Sequence, residues 1–399
     1  MKILHTSDWH LGRTLHGEDL HEHQAAFHEF LIELVQREQV DAVVIAGDVY
    51  DRSIPPVDSV NLLNQTLSRL ADLTTVILTP GNHDSAVRLG FLADVMRPGI
   101  HILADTGGVH RPVTVMDEHG EVLFFGLPYL DPDVARYDLA ANGQEPLARS
   151  HVAVTTEAMD RVRAHLAAHS SPRSVVLAHT FVAGGEPSES ERDLTVGGVD
   201  SVPGSVFHGV DYVALGHLHG CQNMSALVPA ERPVAWYSGS PLAFSFSEKN
   251  HRKAVLLVEM DASGAVEVER VPVPVPRQLV ELSGTLAQIL DQAAEHGEDW
   301  VHAIVEEPTR PAHMQETLRE AYPHLLGTEF RSTVQRPRSA APAVTQAMDP
   351  SAVVAEFFTS LVGTEPNPAE QEIIEEALAG ARYATEERLR PAAHKSVSA

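Results

Sequence analysis

The sequence has little that could cross-link it or carry it into a membrane. Cys221 is its only cysteine, which excludes an internal disulfide framework and sets the expectation of a reducing, cytoplasmic compartment. No apolar run approaches the roughly 18 residues that a membrane span needs. Lys2 is followed by two apolar residues and then polar ones, so neither a transmembrane segment nor a secretory leader is expected. Positive charge is scarce as well: 29 Lys and Arg against 55 Asp and Glu give a net charge of −26 with histidine neutral. Such a chain stays soluble but repels polyanions at long range. Taken alone, that argues against nucleic acid, whose phosphates are usually gripped by Lys and Arg. Histidine, by contrast, is abundant at 23 residues, so any single one is a weak clue and only a pattern carries weight.

What is present is a globular composition, 43% hydrophobic and 21% charged, long enough for two or three domains with a real core. Residues 2–6 read as a strand, and Phe27, Phe30, Leu31, Leu34 and Val35 then mark one face of a helix. The run DAVVIAG at 41–47 is continuously apolar, as in a strand buried on both faces. Val60, Leu63, Leu67 and Leu70 form a second helical stripe before a strand at 75–79. Further strands are expected at 122–126, 174–178, 211–215, 234–238 and 254–259, with a helix over 155–168. This alternation predicts an α/β fold, a mixed or parallel sheet with helices on its faces.

The run VPVPVPRQ at 271–278 reads as an extended spacer closing the first domain. A small βαβαβ unit follows, with strands at 279–282, 300–306 and 327–334 and helices at 286–295 and 312–321. A second linker is expected at 337–346. Two helices close the chain, at 350–362 and 371–389. Asp349 and Pro350 start the first and Gly363 stops it, while Asn367 and Glu370 form a capping box for the second. The expected domains are therefore 1–270, 278–336 and 346–399.

Five strand ends share one property: each runs into residues of metal-ligand type. They are Asp8 and His10; Gly47, Asp48 and Asp51; Gly81, Asn82, His83 and Asp84; His179; and Gly216, His217 and His219. The carboxyl ends of strands are where open α/β sheets bind ligands. Asp8 and His10, like His217 and His219, are two apart, so in extended chain each pair points one way. Glycines at 47, 81 and 216 permit sharp turns and close approach. Carboxylate, imidazole and amide oxygen together suit Mn²⁺, Zn²⁺ or Fe²⁺ better than Mg²⁺ or Ca²⁺. The donors are too many for one ion with an open position. Two ions bridged by a carboxylate would suit a phosphoryl displacement.

The ordered set DxH, GDxxD, GNHD, H and GHxH resembles the calcineurin-like metallophosphoesterase superfamily. TSDWHLGRT (6–14), GDVYDR (47–52), PGNHDS (80–85), SERDL (190–194), YVALGHLHG (212–220) and YSGSPL (237–242) are similar to the SbcD-type nucleases within it, over roughly residues 1–260. That resemblance implies a β-sandwich flanked by helices, with a small α/β capping domain and a C-terminal helical tail. It implies two Mn²⁺ ions, with Mg²⁺ or another divalent ion as a substitute. Metal one would be held by Asp8, His10, Asp48 and His219, and metal two by Asp48, Asn82, His179 and His217, with Asp48 bridging. His83 would face the scissile phosphate and Asp84 would orient it, both catalytic. Asp51 stands where archaeal and eukaryotic relatives have histidine, which points to a supporting role.

The same resemblance implies phosphodiester hydrolysis on DNA, by double-strand exonuclease and single-strand or hairpin endonuclease activity, in repair, recombination and replication. It implies an SbcC-type ABC ATPase as partner, docked through the tail helices and supplying much of the DNA grip, and a homodimer of this subunit. Arg13, Arg52 and Arg88 follow the ligand motifs and are candidates for phosphate contact, while His5, inside the first strand, is expected to be structural and Cys221 to be packing. Two other readings compete: a small-substrate or protein phosphoesterase of the same fold, which the acidic charge would suit, and a catalytically idle scaffold. The complete donor set argues against the scaffold, and the capping unit and tail helices argue against the small-substrate enzyme.

Overall fold

The computed structural model describes residues 1–140, 145–169, 173–191, 201–227, 233–275, 277–334, 349–362 and 365–389. The expected linker at 337–346, the helix stop at Gly363 and residues 192–194 of the SERDL motif lie outside them. Two six-stranded sheets form the body. Their strands in chain order are β1 (Lys2–Thr6), β2 (Ala42–Ala46), β3 (Thr75–Thr79), β4 (Ile100–Ile102), β5 (Val113–Asp117), β6 (Gly120–Leu127), β7 (Arg173–His179), β8 (Tyr212–Gly216), β9 (Gln222–Asn223), β10 (Val234–Tyr237), β11 (Ala254–Met260) and β12 (Val266–Pro272). One sheet runs β12-β11-β1-β2-β3-β4 and the other β9-β10-β8-β7-β6-β5. The ligand-bearing strands β1, β2 and β3 are mutually parallel, as are β7 and β8.

Strand periodicity sorts the side chains into three cores. In β2, all of it fully buried, Val44 faces the second sheet and Val43 and Ile45 face helices. Between the sheets lie Ile3, Val44 and Ile77 from one and Phe124, Val175, Leu177 and Tyr212 from the other. Helices α1 (His21–Glu38) and α2 (Val57–Ala71) cover the outer face of the first sheet with Phe27, Leu31, Leu63 and Leu67. Helix α3 (His151–Ala167) covers the second with Val154, Ala158, Met159 and Val162. Each buried aliphatic side chain contributes about 1.5–3 kcal/mol, so the sandwich is held chiefly by these layers. Cys221 lies half-buried at the edge of the central core.

Four edge strands escape the sequence reading, among them the two-residue β9. β4 and β5 are short or only half-buried. β12 overlaps the proline-rich run, because an edge strand tolerates a terminal Pro272. α3 begins earlier than expected, where the Ser150 side chain accepts from the Ala153 amide at 3.2 Å.

Arg173, 6% exposed, makes a bidentate pair with Asp117 (2.8 and 2.5 Å) and ties the β5–β6 hairpin to β7. The Arg173 guanidinium holds the Asp117 carboxyl well below the usual carboxylate range. A lowered carboxylate pKa stabilises the fold above the unfolded value, near 4, and that contribution is lost as pH falls through the lowered one. Arg173→Leu is therefore expected to cost about 2 kcal/mol at pH 7 and to flatten the fall in stability below pH 4, as read by denaturant unfolding across pH.

The chain forms two compact units, Met1–Val305 with Pro311–Phe330, and Glu306–Arg310 with the chain from Arg331 onward. The first takes in most of the expected capping unit, whose three strands Leu279–Gly284, Trp300–Glu307 and Leu325–Ser332 form one sheet. Leu279, Trp300 and Leu326 pack with Leu15, Leu20, Leu242 and Phe244 of the sandwich. In the second unit, helices Pro350–Val362 and Pro368–Leu389 pack on one another. Asn367 and Glu370 make the expected reciprocal cap, at 2.8 Å (Asn367 N–H to Glu370 Oε2) and 3.1 Å (Glu370 N–H to Asn367 Oδ1). Among the described residues no helix is long and apolar enough to cross a membrane.

Candidate metal centre

The parallel strands bring the five motifs to one end of the sandwich. Asp8, His10, Asp48, His179, His217 and His219 are all buried there. Ligating atoms of Asp8, His10 and His219 converge on one point, and those of Asp8, Asp48 and His179 on another; His10, Asp48 and His83 form a third such group. The Nε2 atoms of His10 and His219 are 3.1 Å apart, and Asp48 Oδ2 lies 3.6 Å from His10 Nε2 and 3.4 Å from His179 Nε2. Asn82 Oδ1 stands 2.9 Å from His179 Nε2 and 3.3 Å from His217 Nδ1. Asp48 thus touches both halves of the cluster.

The reason Asp8 and His10 share a side is not extended chain. Asp8 (φ 54°), His10 (φ 44°) and Asp48 (φ 48°) are left-handed, and His217 has φ 108°. Non-glycine residues are held there only when their surroundings over-determine them. Here the surroundings are backbone bonds between two of the motifs: Asp8 N to Gly47 O, His10 N to Asp48 O and Leu11 N to Val49 O, each 3.0 Å. Close approach explains two glycines. A Cβ on Gly47 would stand 2.2 Å from His179 Nδ1, and one on Gly81 2.2 Å from Asp48 Oδ1.

Asp84 makes no hydrogen bond to the His83 ring. Its carboxylate accepts the backbone amides of Val49 (3.0 Å), Tyr50 (2.9 Å) and Gly81 (2.9 Å), so it clamps two ligand loops together. Burial and the nearby Asp48 push its carboxyl up to about 7. His83 is fixed instead by the Asp51 carbonyl, which accepts from Nδ1 at 2.8 Å and leaves Nε2 as the atom available to a phosphate. The Asp51 carboxylate lies 3.5 Å from both His10 Nδ1 and the Arg13 guanidinium. Arg13 also donates to Ser190 O at 2.8 Å and stacks over Phe244, so it serves the loops and is mostly buried, whereas Arg52 and Arg88 are exposed.

Residues 1–221 match the family model described as calcineurin-like phosphoesterase, and residues 275–362 match one described as the type 5 capsule protein repressor C-terminal domain. The SbcD subunit of the SbcCD nuclease from Staphylococcus saprophyticus subsp. saprophyticus is 31% identical over 375 residues, covering 91% of this chain and 94% of that protein. The chain belongs to the SbcD family of calcineurin-like phosphoesterases. Solved structures similar to this SbcD-family chain include TT1561 of Thermus thermophilus (15% identity, 68% of this chain and 99% of that one, TM-score 0.39). A dimetal phosphatase from Danio rerio is another (13% identity, 69% and 99%, TM-score 0.38).

The donor set of this SbcD-family site fits divalent cations. Two carboxylates and four imidazoles, those of Asp8, Asp48, His10, His179, His217 and His219, lie together in a buried space. Burial pulls His10 down to about 3 and His217 well below its ordinary value, towards the neutral form that ligates metal. Against its burial, the Asp48 carboxylate pushes His179 up to about 9, so a metal there would displace a proton. Behind the donors stands a layer that sequence reasoning passed over. Ser7 donates to Asp8 Oδ2 at 2.5 Å, Glu191 Oε1 accepts the His219 amide at 2.7 Å, and the Phe244 ring stands edge-on to His10 and His219, with centroids 5.2 and 5.4 Å away. Ser190 and Glu191 lay within a motif already noticed, but nothing in sequence spacing signals Phe244. His5 is structural: it accepts from Tyr212 Oη (2.8 Å) and donates to Leu215 O (3.2 Å). His16 is exposed and rests on Phe246.

Proposed function

We propose that this chain is the Mn²⁺-dependent nuclease subunit of an SbcCD-type complex, hydrolysing DNA phosphodiesters at a two-metal site. One observation carries the reading: donors from five strand ends meet at one place in the sandwich, in a chain whose 31% identical relative is a nuclease subunit. Asp8, His10, Asp48 and His219 would hold one ion, and Asp48, Asn82, His179 and His217 the other. Bound ions would supply Lewis acidity and favour in-line attack of water on phosphorus near neutral pH. His83, pinned through Nδ1, presents Nε2 where its imidazolium form can donate to the phosphate or to the leaving oxygen. Asp84 and Asp51 hold the loops that aim it.

The net charge of −26 is consistent with a partner that supplies much of the DNA grip, an SbcC-type ATPase in the cytoplasm. The helices Pro350–Val362 and Pro368–Leu389 expose Phe357 and Ile373 and are the proposed dock. Removing residues 346–399 is expected to abolish co-purification with such an ATPase; an intact complex would refute the dock.

A second copy of the chain would seat on the apolar surface around Ile54, Val57, Val87, Phe91 and Val95, which borders a cleft of about 470 Å³. Val87→Asp with Phe91→Asp is expected to turn a dimer into a monomer by light scattering with little change in Tm, since Val87 is 85% and Phe91 71% exposed. The small-substrate alternative is separated by offering linear DNA and p-nitrophenyl phosphate to the Mn²⁺-loaded chain. Cleavage of DNA supports the nuclease; turnover of the monoester alone supports the alternative.

A further inference from the structure

Four buried side chains outside the donor set form a closed circuit around His219. Ser190 Oγ lies 2.6 Å from His219 Nδ1 and 2.5 Å from Glu248 Oε1. Glu248 Oε1 also accepts the Phe244 amide at 3.0 Å, and Glu248 Oε2 is paired with the Lys253 ammonium. Lys253 sends its other protons to Ser240 Oγ (2.8 Å) and back to the carbonyl of His219 (3.1 Å). Glu248 is 1% exposed and Lys253 6%, so the pair lies in the interior with every ammonium proton used.

Counting protons fixes the direction of each bond. Glu248, ionised against Lys253, can only accept, so the single proton of the Ser190 hydroxyl points at Glu248. Ser188 Oγ stands 2.9 Å from Ser190 Oγ and sends its own proton to Glu191 Oε2 at 2.6 Å, a carboxylate that can only accept. With its proton spent, Ser190 Oγ faces His219 Nδ1 as an acceptor. Nδ1 must therefore carry hydrogen, and Nε2, the atom turned towards His10, is left with its lone pair.

We infer that Ser190, Glu248 and Lys253 are positioning residues that lock His219 in the Nδ1–H tautomer and so present Nε2 as a ligand atom. The inference deepens the two-metal reading and rests on it for its purpose, but the tautomer is a property of the metal-free chain. Partners of this kind orient a ligating imidazole and raise its basicity, and their loss typically weakens metal binding about 10–100-fold.

The test uses the full chain labelled with ¹⁵N-histidine, stripped of metal, with the His219 resonances assigned by difference against His219→Gln. Long-range ¹H–¹⁵N spectra are expected to show a protonated Nδ1 and a bare Nε2 on His219; a protonated Nε2 with a bare Nδ1 would overturn the relay. In Mn²⁺ titrations followed by calorimetry, Ser190→Ala is expected to weaken one of the two sites about 10–100-fold, and Ser190→Thr, which keeps the hydroxyl, to stay close to wild type. Wild-type affinity in Ser190→Ala would overturn the proposal. If Ser190→Ala does not fold, the wild-type spectrum decides alone. A wild-type chain that binds no Mn²⁺ would count against the two-metal reading and not against the tautomer, so the two failures are distinguishable.

Discussion

Asp48→Ala is expected to lower Mn²⁺-dependent DNA cleavage about 10,000-fold and to weaken both metal positions together. Its carboxylate reaches both halves of the cluster, 3.6 Å from His10 Nε2 on one side and 3.4 Å from His179 Nε2 on the other. Metal ions supply several kcal/mol of transition-state stabilisation, and each 1.36 kcal/mol is a factor of ten in rate. Asp48 Oδ1 also accepts the His83 amide at 2.8 Å, so truncation disturbs that loop as well. Asp48→Asn separates the effects. It keeps an acceptor for the amide and removes the anionic bridge, and it should fold normally while cleaving no better than the alanine variant. Retained cleavage in either variant, measured as acid-soluble nucleotide released, would remove Asp48 from the centre of the mechanism.

The second large effect belongs to His83. Its Nδ1 proton is committed to the Asp51 carbonyl at 2.8 Å, and its ring stands edge-on to His10 with centroids 4.7 Å apart, beside the donors. His83→Ala is expected to lower kcat about 100- to 1,000-fold, the range seen when one donor to a developing negative charge is removed. Mn²⁺ stoichiometry and affinity should be unchanged, because the remaining donors suffice for both ions. Calorimetry alongside kinetics distinguishes the roles: an equal loss of metal affinity would make His83 a ligand.

Much of this was readable in the sequence, for identifiable reasons. Strands such as β2 show themselves because burial on both faces forces a continuous apolar run. The candidate donors show themselves because five strand ends each carry Asp, Asn or His, three of them beside a glycine. What stayed hidden depends on how distant segments meet. Asp84 resembled an orienting carboxylate until three backbone amides were found to occupy it. Asp8 and His10 look like an extended pair at spacing two, yet left-handed backbone held by the Gly47–Val49 segment places them. Arg13 reads as a phosphate contact by position, but Ser190, Asp51 and Phe244 already engage it. Glu248 and Lys253 follow the last ligand by about 30 residues and have no motif of their own. Only packing reveals that they close a circuit on His219.

The most direct measurement is the rate of nucleotide release from linear duplex DNA as Mn²⁺ is titrated into the chelator-stripped full chain. A two-metal nuclease shows no cleavage in the stripped state and recovers it as about two ions bind per chain. Cleavage that persists after stripping, or a saturated chain that leaves phosphodiesters intact, would contradict it.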